Sequence, residues 1–296
     1  VKHGVVRAAW IPGRAEPEHR SEMVTQWICG EPLEVREEQE DGWLRVRGPG
    51  DYLCWVGEGG VRRTDRAELS DWLEAATARS MGLRVEQARR RGGPLFLPWG
   101  ARLVPLGDGR VRCPDGTDVR PEPLDGVVLE EERRHRFPAE GPAVVETALG
   151  WLGAPYAWGG RILEGTDCSG FVQAVLAMHG VEIPRDSGPQ MDAGPGVGGQ
   201  AHEESDAEPG PATGPDGSAE PAGDPGRRPG DLLFFGDDPD AVDHVALVLE
   251  GSRIVHAAAS NGAVARDDLS GDAPLARRLR DRLVGHTRPL AAPGEG

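Results

Sequence analysis

The sequence predicts an α+β domain preceded by two small all-β barrels. Three observations carry that prediction. Residues 1–138 break into short apolar or β-branched runs separated by Gly, Pro and Asp turns. From residue 139, two helical stretches precede a set of consecutive apolar strands, which argues for segregated α+β packing. Between these helices and strands lies 192–226, an acidic insertion rich in Gly and Pro and without Lys or Arg. Such a composition buries too little apolar surface to offset its ordering entropy, so it reads as disordered.

The elements follow in chain order. Residues 1–65 form the first barrel, with strands at Val5–Ala8, Leu33–Arg36, Trp43–Arg47 and Cys54–Val56 and turns at 30–32, 41–42 and 48–50. Residues 66–80, RAELSDWLEAATARS, place Leu69, Leu73 and Ala76 on one helical stripe and form a connector. Residues 81–138 form the second barrel, including LFLPWGARLVPL, GRVRCPDGTDV and LDGVVLEEE. Residues 139–296 form the α+β domain. Pro142 opens its first helix, and Asp167 or Thr166 caps a second that runs from Cys168 to about His179. Cys168, Phe171, Val172, Val175, Leu176 and His179 share one face of it. Strands are expected at Asp231–Phe235, Val242–Leu249, Arg253–Ala258 and Leu283–Thr287.

Composition narrows the function classes. A net charge of −16 repels phosphate backbones and anionic lipid, so neither nucleic acid nor a membrane surface is an expected partner. The chain opens VKHGVVRAAW, without an apolar signal segment, which suggests a cytoplasmic protein, or an exported one if a leader has been removed. Cys29, Cys54, Cys113 and Cys168 stand at spacings that suit neither a disulfide framework nor a zinc knuckle.

Cys168 is the chemically interesting cysteine. At the first turn of a helix it meets unpaired N–H groups and the positive end of the helix dipole, both of which favour a thiolate. Its neighbours Asp167, Ser169 and Gly170 are polar or tiny, which a core cysteine does not require. His244 and His256 lie twelve residues apart in a hairpin that turns near Glu250–Ser252. An odd-length loop places both rings on one sheet face; a two-residue loop places them on opposite faces. Together with Cys168 they compose a nucleophile, base and orienting group. A metal bound by Cys168, His244 and His256 is the competing reading, disfavoured by the missing Cys/His pairs at zinc spacing. His179 and His286 read as structural.

The ordered motifs GAPYAWGG, TDCSGFV, PGDLLFF, DHVALVLE and IVHA resemble those of the NlpC-type bacterial cell-wall cysteine peptidases, which have a papain-like fold, over about residues 141–290. The upstream segments resemble bacterial SH3-like domains. With IPRDSGPQ (Ile183–Gln190) they are similar to the subgroup of γ-D-glutamyl-L-diamino acid endopeptidases that process murein peptides. The resemblance implies Cys168 as nucleophile, His244 as base, His256 as the group orienting His244, and Tyr156 beside the oxyanion. It implies that the dipeptide L-Ala-γ-D-Glu sits against Trp158, Asp167, Ser169 and Ser187, with Tyr52 and Glu22 contributed by the first barrel. Asp167 and Glu22 would neutralise a free ammonium, and the hydroxyls would serve carboxylate or amide oxygens. No metal or cofactor is expected, and the partner is a murein peptide, L-Ala-γ-D-Glu-L-diamino acid. The alternative is a secreted murein hydrolase acting on intact peptidoglycan, with the SH3-like domains holding the wall.

Overall fold

The computed structural model describes residues 2–90, 93–122, 124–194 and 226–290. The acidic insertion expected to be disordered therefore lies, apart from its ends, outside the described residues.

Seven antiparallel strands make the first sheet: β1 (Lys2–Val6), β2 (Trp10–Arg14), β3 (Met23–Ile28), β4 (Pro32–Glu38), β5 (Trp43–Arg47), β6 (Leu53–Gly57) and β7 (Val61–Thr64). They are ordered β3-β2-β6-β5-β4-β1-β7 around a core that includes Val6, Trp27, Leu33, Val46 and Val56. Strands β2, β3 and β7 were not expected from the sequence. WIPGR and MVTQWI mix small, polar and apolar residues: in β2 the buried positions are Ile11 and Gly13 while Trp10 is exposed, so residue type does not report the alternation of burial.

Helix α1 (Arg66–Ala75) begins with a reciprocal cap. Asp65 Oδ1 accepts from the Glu68 N–H at 2.8 Å, and Glu68 Oε2 accepts from the Asp65 N–H at 3.0 Å. The connector is shorter than predicted, because residues 78–80 already belong to the long strand β8 (Ala78–Arg90). With β9 (Gly93–Pro105), β10 (Val111–Arg112), β11 (Asp118–Val119) and β12 (Val127–Leu129), it forms a second antiparallel sheet ordered β11-β10-β9-β8-β12. The LEEE stretch, expected as strand, instead turns into helix α2 (Glu130–Arg136). Three glutamates in its first turn and basic residues in its last complement the helix dipole, which overrides the strand reading.

The catalytic domain contains α3 (Gly141–Leu149), the short pair β13 (Arg161–Ile162) and β14 (Gly165–Thr166), α4 (Cys168–Met178) and α5 (Ser187–Ala193). A five-stranded antiparallel sheet follows: β15 (Leu232–Gly236), β16 (Val242–Glu250), β17 (Arg253–Ala258), β18 (Ala263–Asp268) and β19 (Leu283–Thr287), ordered β18-β17-β16-β15-β19. Helix α6 (Pro274–Asp281) precedes the last strand; neither it nor β18 was expected.

Strand β15 is buried on both faces, which explains its unbroken apolar run. Leu232 and Phe234 pack in the same core as α4, while Leu233 and Phe235 pack with Leu279 of α6. The second sheet also enters the catalytic core. Trp99 of β9 donates its indole N–H to Ala174 O of α4 at 3.2 Å and meets Trp151 edge-on. No helix among the described residues is long and apolar enough to cross a bilayer.

Candidate active site

Cys168 is the first residue of α4, and Asp167 is its N-cap. Asp167 Oδ1 accepts the Gly170 N–H at 2.7 Å, the usual use of an aspartate at this position. The thiol is buried, and the backbone N–H groups of Val245 and Ser169 point at its sulfur. Those two groups favour the thiolate, as the helix-start argument expects. Burial outweighs them, with Asp167 adding to it, and pushes the thiol up to about 12.

The base stands in a chain of three hydrogen-bonded groups. His244 Nε2 lies 2.7 Å from His256 Nδ1, and His256 Nε2 lies 2.8 Å from Asp267 Oδ2. Asn261 Nδ2 donates to the same carboxylate oxygen at 3.0 Å, and these bonds hold Asp267 below the usual carboxylate range. An ionised Asp267 fixes the proton of His256 on Nε2, so Nδ1 accepts from His244 Nε2–H. Nδ1 of His244 is then left bare, ready to take a proton. Burial, helped by the facing His256, pushes His244 down to about 3 and keeps it neutral. Both ring nitrogens of His256 are engaged, which leaves none for the metal considered as an alternative.

The hairpin that aligns the two histidines differs from the expected one. Its loop is only Gly251–Ser252, with Glu250 opposite Arg253, and that parity alone would point the rings to opposite faces. The register shifts between Val248 and Glu250, leaving Leu249 unpaired as a one-residue bulge. The bulge restores the parity, and the ring centroids sit 4.9 Å apart.

All of the sequence-derived candidates line one cleft of about 740 Å³. Tyr156 is half-buried near Cys168 and Asp167; burial and those two neighbours push its hydroxyl up to about 12, so it remains a donor. Trp158 is exposed and donates its indole N–H to Glu22 Oε1 at 2.6 Å, linking the catalytic domain to the first sheet. Ser187 opens α5, and its hydroxyl donates to Val242 O at 3.3 Å. Tyr52 hydrogen-bonds Asp186, and burial beside that carboxylate raises its hydroxyl.

Asp167 and Ser169 require a correction. The sequence offered Asp167 as a counter-ion for a substrate ammonium. Its carboxylate is instead gripped by the buried Arg185, with Nη1 donating to Oδ1 at 3.0 Å and Nη2 to Oδ2 at 2.6 Å. Gly159 N–H also donates to Oδ2, at 2.8 Å, and Arg185 Nη1 donates to Ser169 Oγ at 2.8 Å. A matched pair of charges carries little net attraction for a cation. The carboxylates in the cleft that face no guanidinium at such range are Glu22 and Asp186.

Sequence reasoning missed Arg185, Asp186 and Asp267. The first two sit inside IPRDSGPQ, beside the Ser187 that was chosen. Asp267 lies on the unexpected β18, although the preceding Asn261–Gly262 pair is a strong turn signal. His179 and His286 are structural, as expected: His179 bridges Pro138 O and Thr147 Oγ1, and His286 Nε2 meets Asp231 Oδ2 at 2.8 Å.

Residues 153–282 match the NlpC/P60 family, and residues 13–60 match the bacterial dipeptidyl-peptidase SH3 domain. A γ-D-glutamyl-L-lysine dipeptidyl-peptidase of Bacillus cereus is 29% identical over 253 residues, covering 80% of this chain and 67% of that protein. The Bacillus subtilis protein of the same name is 34% identical over 115 residues, covering 38% of this chain and 30% of its own length. Among solved structures, an NlpC/P60 family protein from Bacillus cereus superposes with a TM-score of 0.73 at 19% identity, covering 98% of this chain and 100% of that one. At that identity the likeness shows the fold.

Proposed function

The chain carries an NlpC/P60 cysteine-peptidase domain behind a bacterial dipeptidyl-peptidase SH3 domain, and from that premise we propose that it hydrolyses the γ-D-glutamyl-L-diamino acid bond of murein peptides with a free N-terminal L-Ala. The observation that carries the proposal is the Glu22–Trp158 contact. It closes one end of the cleft that holds Cys168, with Glu22, Val24 and Tyr52 of the first sheet as the wall. A peptide whose L-Ala remained amide-linked to muramic acid would collide with that wall, while a free ammonium would meet the Glu22 carboxylate. We read the second sheet as a second SH3-like barrel, and the enzyme as one that recycles released fragments in the cytoplasm.

In the proposed reaction His244 Nδ1 takes the Cys168 proton as the sulfur attacks the side-chain carbonyl of D-Glu. The tetrahedral oxyanion is held by the Cys168 N–H at the start of α4 and by the Tyr156 hydroxyl. His244 returns the proton to the leaving amine, and the C–N bond breaks to leave a thioester. His244 then draws a proton from water as it attacks the thioester, and dipeptide and thiol are released. Arg278 of α6 lines the same cleft as His244, and its guanidinium would serve the carboxylate of the leaving residue.

The test is incubation with L-Ala-γ-D-Glu-L-diamino acid tripeptide and its N-acetylated form, with products followed by mass spectrometry and Cys168→Ala as control. The expected result is cleavage of the free tripeptide alone. Equal cleavage of both would favour the hydrolase of intact peptidoglycan, and cleavage by Cys168→Ala would remove the nucleophile.

A further inference from the structure

The two sheets and the catalytic domain meet around a second cavity, of about 70 Å³, lined by Arg79, Arg102, Arg161, Glu31 and Gln173. Arg79 and Arg102 are directly opposite each other on β8 and β9, an arrangement of like charges that destabilises a sheet unless something separates them. Glu31 pairs with Arg161 at 3.1 Å. Arg79 reaches only Glu130, at 3.6 Å, and that carboxylate already accepts from Arg133 at 2.6 Å. Arg102 has no ion pair among the described residues. Three guanidiniums thus share two carboxylates and Arg102 is left with neither, while Glu182, which also lines the cavity, is exposed.

The unpaired atoms show what is missing. The Nε–H groups of Arg102 and Arg161 are shielded from solvent and donate to nothing among the described residues, and Gln173 Oε1 is shielded and accepts nothing there, whereas Arg79 Nε faces Glu130 Oε2 at 3.6 Å. Arg161 and Gln173 are more than nine-tenths buried. Orphaned buried polar atoms are uncommon in folded proteins, and here two donors and one acceptor belong to residues that line one cavity.

We propose that this cavity binds a protonated tetrahedral oxyanion of the phosphate class, either hydrogen phosphate or a phosphate monoester. Its charged oxygens would accept from the Arg102 and Arg161 Nε–H groups, and its P–OH would donate to Gln173 Oε1. One water needs roughly 10–15 Å³ of such space, so the cavity takes a group of several heavy atoms. The anion would clamp two pieces of the protein together, since Arg102 comes from the second sheet and Arg161 and Gln173 from the catalytic domain. The site is separate from the cleft and does not rest on the peptidase reading.

The experiment is a thermal melt of the full chain titrated with inorganic phosphate, with ionic strength held constant by sodium chloride. A sulfate series and the variant Arg102→Gln run beside it. The expected result is a saturable rise of about 3 °C with phosphate and a smaller one with sulfate, which lacks the donor hydroxyl at neutral pH. Arg102→Gln should lose the rise, yet melt no lower than the parent without phosphate, because the repulsion from Arg79 is relieved. A melt unmoved by phosphate, an equal response to sulfate, or a rise retained in Arg102→Gln would each overturn the proposal. Cleavage of tripeptide by Arg102→Gln reports on the peptidase independently.

Discussion

His244 Nε2 and His256 Nδ1 lie 2.7 Å apart, so the candidate base is held by a second imidazole rather than by a carboxylate. The negative charge stands one group further out, on Asp267, which fixes the tautomers of both rings. Asp267→Asn keeps the shape and removes that charge. We expect kcat for the tripeptide to fall about 10- to 100-fold with KM nearly unchanged, a smaller loss than when a directly bonded triad carboxylate is replaced. Steady-state kinetics on a variant with unchanged circular dichroism would check this, and an unaltered kcat would remove Asp267 from the chain of control.

Glu22 is expected to act on binding. Glu22→Gln retains an acceptor for the Trp158 indole but removes the charge facing the substrate ammonium. KM for the free tripeptide should rise about tenfold, the worth of a charge-assisted contact. A KM that does not change would mean that the ammonium is read elsewhere.

Arg185 is expected to act on stability. Its guanidinium is buried against Asp167 and also donates to Thr25 Oγ1 of the first sheet at 3.1 Å. Arg185→Met leaves the Asp167 carboxylate buried without its partner, which should destabilise the protein by about 3–5 kcal/mol in urea unfolding. The double variant Arg185→Met/Asp167→Asn should recover part of that loss, because the stranded charge is gone.

Acid sensitivity should come partly from Asp231. His286 and Arg288 hydrogen-bond its carboxylate and hold it below the usual carboxylate range. A carboxylate lowered in the folded state contributes stability above its unfolded pKa and loses it as pH falls through the folded one. Asp231→Asn should therefore melt lower than the parent at pH 7. The gap should close below about pH 4, where the carboxylate protonates in the unfolded chain and then in the folded one. A gap independent of pH would assign the effect to packing.

Much of the cleft was legible because its chemistry lies in contiguous motifs. TDCSGFV supplies the candidate nucleophile, cap and helix start together, and the burial of α4 follows from its apolar face. What escaped depends on contacts between distant segments. Arg185 reads as one more surface arginine until the fold folds it beneath Asp167, eighteen residues away. Strand β18 is short, and RDD at its end looks like loop, yet its pairing with β17 brings Asp267 to His256. In the first sheet, β2 and β3 were hidden because their residue types do not report which positions the sheet buries.

The unpaired Leu249 makes the active arrangement a matter of counting. Between His244 and His256 the sheet tolerates many side chains but only one parity, since removing a single residue there would turn one ring to the far side of the sheet. A deletion that spared every motif could thus leave a folded protein with intact cysteine and histidines and no working base. Loop grafts into this hairpin would have to add or remove residues in pairs.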